Sequence, residues 1–262
     1  MAALKIFANS TCPRSNASWM ACDCLTTWPG CGSASLNTAL HGKGLLTPLQ
    51  QTFLALFASV PDQEQFYLTG GTALAEFYFG HPLSFDLDLF TGQAELVTPM
   101  AHALEQRCAS SGLEVSVTRR FATYVEYLVG LEGATLKVDL ALDSPLRFEP
   151  PVLSEHGVLI NSYADLRIDK LLAYYGRAEP RDAIDLYFIL QRDSLETLIE
   201  PAAKKDPGFD LYWMAVALDR AESFPDELGR WPVQMLAPCE PVQIKATFRE
   251  LAIELMGRST RP

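Results

Sequence analysis

The chain has 262 residues, 48% of them hydrophobic and 20% charged, with a formal net charge of −11. This is the balance of a globular protein that can bury a core, and it argues against a broad basic face for nucleic acid. No apolar run approaches the roughly 20 residues that cross a bilayer, so no membrane partner is expected.

Residues 1–40 are rich in Ser, Thr, Asn, Gly and Cys, contain one acidic residue (Asp23) and have no sustained apolar stretch of a secretory signal. They read as a disordered or loosely packed leader. Cys12, Cys22, Cys24 and Cys31 fall in it without paired C-x-x-C spacing and with no histidine among them, so they read as incidental thiols of a reducing, cytoplasmic compartment.

Order begins near Thr47. Pro48 suits a first helical turn, and Leu49, Phe53, Leu56, Phe57 and Val60 form a stripe at helical spacing. QFYLTGG reads as a short strand running into a glycine turn, TALAEFYFG as a short helix ending near Gly80, and LSFDLDLFTG as a strand. Residues 95–110 read as a helix starting near Pro99. Strands are expected over 113–120, 123–130 and 135–142, the last two forming a hairpin. Pro145, Pro150 and Pro151 mark a loop. Beyond it, ADLRIDKLLAYYGR, PRDAIDLYFILQR, DLYWMAVALDRAE and VQIKATFRELAIELM each carry apolar positions at helical period. The expected organisation is an α+β core over 41–160 and a helical region over 161–262 that completes the site.

The chemistry concentrates in FDLDLF. Alternation puts Phe85, Leu87 and Leu89 on one face of a strand and Asp86 and Asp88 on the other, about 7 Å apart along the chain. Two like charges side by side call for a cation, and hard divalent ions such as Mg²⁺ (or Mn²⁺) take carboxylate oxygens together with substrate phosphates. TLKVDLAL offers Asp139 as a third acid; its bland reading is an exposed strand residue paired with Lys137 or Arg119. Upstream, Gly70 and Gly71 allow close approach to the main chain, and the helix starting near Thr72 presents free N–H groups to a phosphate, with the Thr72 hydroxyl as an added donor or a simple cap.

The run LTGGTALAEFYFGHPLSFDLDLF resembles the first motif of nucleotidyltransferases of the DNA polymerase β superfamily, and more narrowly the AbiEii/AbiGii-type toxin family. The shared positions are the GG-T-A-L turn and Gly80, His81, Ser84, Asp86, Asp88 and Phe90; the family's arginine after the histidine is replaced by Pro82. A second stretch, DKLLAYYGRAEPRDAIDLYFIL, resembles the family's later motif through Lys170, Arg177, Arg181, Asp182, Asp185 and Leu186. The resemblance implies a nucleotidyltransferase (polymerase β-like) fold, a small mixed sheet flanked by helices with a helical C-terminal part. It implies transfer of an NMP from an NTP, with Asp86, Asp88 and Asp139 as catalytic metal ligands. Lys170 would meet the triphosphate, Asp182 and Asp185 would belong to the catalytic set, and Gly70, Gly71, Thr72, Ser84, Arg177 and Arg181 would bind the nucleotide. His81 reads as a turn residue or a group acting behind the site. The implied acceptors are RNA 3′ ends, notably tRNA, or a protein hydroxyl, and the implied partner is an antitoxin of a toxin–antitoxin or abortive-infection system. Two other readings stay open: an inert homologue that acts by binding an antitoxin, suggested by Pro82, and transfer to a small molecule such as an aminoglycoside.

Overall fold

A computed structural model describes residues 39–259; the expectations for the leader and its four cysteines lie outside the described residues. A seven-stranded mixed sheet carries the site. Its strands are β1 (Tyr67–Thr69), β2 (Leu87–Thr91), β3 (Glu114–Phe121), β4 (Tyr124–Leu131), β5 (Ala134–Leu142), β6 (Val152–Leu153) and β7 (Leu159–Ile160), in the order β3-β4-β5-β2-β1-β7-β6. β2 runs parallel to β5 and antiparallel to β1, and β3, β4 and β5 form an antiparallel meander. The β4–β5 turn places Glu132 (φ 50°) and Gly133 (φ 85°) in left-handed backbone, the pairing a tight two-residue hairpin requires.

Helices α1 (Pro48–Phe57) and α3 (Ala94–Ser110) pack on one sheet face. Period-2 alternation supplies that face with Leu87, Leu89, Val125, Tyr127, Val129, Leu136, Val138 and Leu140, all buried. Thr47 and Gln50 form a reciprocal capping box at the start of α1. α3 begins at Ala94, so Pro99 lies inside the helix rather than at its start. The expected helix after the glycine turn is present but unusual: α2 (Gly70–Ala73) widens into a π-helical segment over Leu74–Phe79 and stops at Gly80 (φ 73°).

The C-terminal half contains α4 (Tyr163–Arg177), α5 (Pro180–Leu190), α6 (Leu195–Lys205), α7 (Leu211–Asp219) and α8 (Pro241–Ser259). α6 has no counterpart among the expected elements, and it forms with Pro201 inside it. α4 packs against α2, the π-helical segment, α5, α6 and α7, so it joins the sheet half to the helical half. Its side chains therefore reach the sheet's open face. The connection between the short helical turn Leu228–Arg230 and α8 folds back over the segment preceding β2, where the Leu83 amide donates to the Gln234 carbonyl at 2.9 Å. Among the described residues no helix is long and apolar enough to cross a membrane.

Candidate active site

Opposite α1 and α3, the sheet borders a cavity of about 670 Å³. Strand register fixes what faces it. Thr69 pairs with Asp88 across β1–β2, Asp88 with Asp139 across β2–β5, and Asp139 with Glu126 across β5–β4. One row of side chains therefore crosses the sheet, with Asp88 and Asp139 adjacent in it. Asp86 precedes β2 and lines the same cavity. The strand begins at Leu87, later than the sequence suggests. Phe85 consequently leaves the packed face and stands 53% exposed at the cavity wall.

The charges of the three acids interact. Burial pushes the Asp88 carboxyl up to about 6; Lys170 opposes the rise, and Asp139 and Asp86 add to it. Burial also raises Asp86, with Lys137 pulling down and Asp139 pushing up. Lys137, two residues along β5, donates to Asp139 Oδ2 at 2.8 Å. Asp139 Oδ1 is buried and has no hydrogen-bond partner, an unsatisfied polar atom that needs an explanation. Even so, among the described residues no three acids, imidazoles or thiolates form a group already arranged around a metal ion. Lys137 already holds one oxygen of Asp139.

The glycine turn fits closely against these acids. Gly70 has φ 72°, and a Cβ there would stand 1.8 Å from Asp88 Oδ2; at Gly71 a Cβ would meet Ser84 Oγ at 3.0 Å and Lys170 Nζ at 3.8 Å. Gly70, Gly71 and Ser84 all line the cavity. Thr72 does not serve as the phosphate donor the sequence suggests: it is buried, and its hydroxyl donates to the Asp86 carbonyl at 2.5 Å, tying the acidic segment to the turn.

The later motif arrives on α4 and α5. Lys170 Nζ reaches Asp185 Oδ2 at 2.6 Å, and His81 Nε2 lies 2.9 Å from Asp185 Oδ1. Burial alone would raise Asp185, but the Lys170 ammonium and the His81 hydrogen bond overcome it and bring the carboxyl down to about 2. Asp182, one turn earlier, is held by Arg177 through Nε and Nη2, both at 2.6 Å. Arg181 donates to Glu179 at 3.1 Å and is half exposed at the cavity wall. Lys170, Arg177, Arg181, Asp182 and Asp185 thus border the same cavity as Asp86, Asp88 and Asp139.

Sequence reasoning left several lining residues unassigned. Asp143, Asp169 and Lys205 form a polar end of the cavity, where Lys205 donates to Asp169 Oδ1 at 2.5 Å. Pro232 and Val233 supply an apolar wall from the C-terminal connection. No periodic signal marks these positions, because they meet only through tertiary packing.

The pair Lys170–Asp185 makes a pH prediction. A carboxyl held at about 2, against 3.8 when free, contributes stability that is full above pH 4 and lost as the pH falls toward 2. The contribution is about 2 kcal/mol. In Asp185→Ala the acid limb of a urea-denaturation series between pH 5 and 2 is expected to flatten; an unchanged acid limb would contradict the assignment.

The family described as "Nucleotidyl transferase AbiEii toxin, Type IV TA system" matches residues 52–224, most of the chain. Comparison with curated proteins finds no significant match. Among solved structures, a nucleotidyltransferase candidate from H. pylori superposes with a TM-score of 0.55 at 17% identity, covering 80% of this chain and 92% of its own. JHP933 from Helicobacter pylori gives 0.50 at 18%, covering 80% and 90%. MenT4, a nucleotidyltransferase toxin (Rv2826c) from Mycobacterium tuberculosis H37Rv, gives 0.54 at 18%, covering 79% and 82%. At these identities the likeness speaks to the fold, which is that of polymerase β-like nucleotidyltransferases. The sequence match goes further: this chain is a member of the AbiEii nucleotidyltransferase toxin family.

Proposed function

We propose that the protein transfers a nucleoside monophosphate from an NTP to an acceptor hydroxyl, breaking the bond between the α- and β-phosphates and releasing pyrophosphate, in a reaction that depends on a divalent metal, and that it acts as the toxin paired with an antitoxin. The observation that carries this is the meeting of Asp86, Asp88 and Asp139 with the Gly70 turn and Lys170 around one cavity in a member of this family. The free oxygen of Asp139 and the missing Cβ at Gly70 suit a cation and a phosphate chain lying against the acids. Mg²⁺ or Mn²⁺ held by Asp86, Asp88 and Asp139 would relieve their mutual repulsion and supply positive charge where phosphoryl transfer builds negative charge. The chain's own groups do the rest. Gly70 and Gly71 let the triphosphate approach the main chain, Lys170 offsets its charge, and Ser84 offers a hydroxyl beside the turn. Asp139, on the strand away from the glycine turn, would help activate the acceptor hydroxyl as a metal ligand or as the base that takes its proton. Acceptor candidates are an RNA 3′ end such as that of tRNA, or a protein hydroxyl.

The test is incubation with each labelled NTP, Mg²⁺ and total RNA, with and without a protein extract, comparing wild type with Asp86→Asn. Label entering RNA or protein with wild type alone is the expected result. A second reading is favoured by one observation: Pro82 replaces the family's arginine and lines the cavity. In that reading the fold persists as an antitoxin-binding homologue without turnover, and calorimetry would find no binding of Mg·NTP.

A further inference from the structure

The geometry points to His81 as a positioning residue: through Asp185 it holds the Lys170 ammonium at the glycine turn, so that it meets the transferring nucleotide in one place. This rests on the proposed role of Lys170 toward the triphosphate.

A lysine has four side-chain torsions, and one ion pair to a carboxylate that can itself rotate would not fix its ammonium. Asp185 cannot rotate freely, because each of its oxygens is engaged: Oδ2 by Lys170 at 2.6 Å and Oδ1 by His81 Nε2 at 2.9 Å. The imidazole is equally constrained. It is fully buried, and its ring lies 5.3 Å from that of Phe79 and 4.7 Å from that of Phe188. Its Nδ1 has no hydrogen-bond partner, so the ring is committed to Asp185 through Nε2 alone. Loss of that donor would leave Asp185 Oδ1 as a buried acceptor without a partner and free the carboxylate to swing, taking Lys170 with it. His81 also stands three residues before Ser84 and five before Asp86. The segment that delivers the acids therefore also carries the group that aims the lysine, and the two halves of the site are set together across α4 and α5. The side chain touches neither nucleotide nor acceptor in this arrangement; it acts through Asp185 and Lys170.

The test compares wild type, His81→Leu, His81→Gln, Lys170→Ala and the double variant His81→Leu plus Lys170→Ala, all in the full chain. Three readouts are used: affinity for Mg·NTP by calorimetry, label transfer from that NTP, and the NMR signal of the Lys170 Nζ group without nucleotide. Thermal denaturation checks that each variant folds. His81→Leu is expected to lower transfer roughly 10- to 100-fold, the range seen when an orienting partner is removed. It should broaden or shift the Lys170 signal and have no further effect in the Lys170→Ala background. His81→Gln, whose amide can donate to Asp185, should recover most of the loss. An unchanged Lys170 signal in His81→Leu, or losses that add to those of Lys170→Ala, overturns the inference. If Lys170→Ala matters and His81→Leu does not, only the role of His81 falls. If Lys170→Ala itself leaves affinity and transfer intact, the role of Lys170 falls and takes this inference with it.

Discussion

Asp88→Asn will abolish nucleotidyl transfer, by about a thousandfold or more, and at the same time make the fold more stable at neutral pH. The activity loss follows from removing an acid at the centre of the site, facing the Gly70 turn and the Lys170 ammonium. The stability gain follows from the sign of its pKa shift. Burial and the neighbouring Asp139 and Asp86 hold the folded carboxyl at about 6, against 3.8 when free. The folded state therefore binds a proton that the unfolded state has released between those values, and stability falls as the pH rises from 4 to 6. Above pH 6 the penalty is complete. A shift of this size is worth about 3 kcal/mol, and solvent reaching the cavity reduces the expected gain to roughly 1–2 kcal/mol. Asparagine keeps the shape without the charge. Urea denaturation should show the variant ahead of wild type at pH 7 and level with it at pH 4. Mg²⁺ should raise the melting temperature of wild type and leave the variant nearly unmoved, since a ligand stabilises only the state that binds it. A variant less stable than wild type at pH 7 would contradict the repulsion described for these acids.

Gly70→Ala is expected to be the most damaging single-methyl change in the site. The position lies at φ 72°, a region that costs a residue with Cβ roughly 1–2 kcal/mol. The added carbon would also stand 1.8 Å from Asp88 Oδ2, 2.8 Å from its Cγ and 3.2 Å from its Cβ. A short side chain offers no flexible end that could move aside, so the whole carboxylate or the turn must shift. A displacement near 1 Å at the reacting centre can cost about a hundredfold in rate. Together these predict a loss of about 1–3 kcal/mol in stability and at least a hundredfold in transfer. Gly71→Ala is the internal control: its Cβ meets only Ser84 Oγ closely, at 3.0 Å, and Ser84 can turn its hydroxyl away. Calorimetry with Mg·NTP and thermal melts on the two variants test this. Equal damage at both positions would refute the argument from the Asp88 contact.

The sheet and its acidic row were legible in the sequence for a simple reason. A period of two, with Leu87 and Leu89 in the core, turns Asp88 toward the opposite side, and the same rule places Asp139 between Val138 and Leu140; Asp86 lies just ahead of the strand and reaches the cavity from there. The strands over 113–142 were marked by β-branched residues and by the Gly133 turn. The resemblance supplied Lys170, Asp182 and Asp185, which periodicity alone could not separate from ordinary helix-surface charges. Other features depend on groups that only folding brings together. His81 and Asp185 are 104 positions apart, and nothing in either local pattern announces the other. Thr72 carries a hydroxyl suited to phosphate, yet the neighbouring Asp86 carbonyl takes it. Phe85 obeys the alternation on paper, but the strand starts after it. α6 was not expected, although it buries Leu195, Leu198 and Ala202 and carries Pro201 inside it.

The backbone link between Leu83 and Gln234 means that the working unit outruns the family signature. The match stops at residue 224, but Pro232 and Val233 wall the cavity, and the neighbouring Trp231 is buried against Phe224. A chain trimmed to the signature would keep every carboxylate, the lysine and both glycines while opening one side of the reaction chamber to bulk water. The segment joining α7 to α8 thus closes one wall of this cavity from outside the residues that carry the family match.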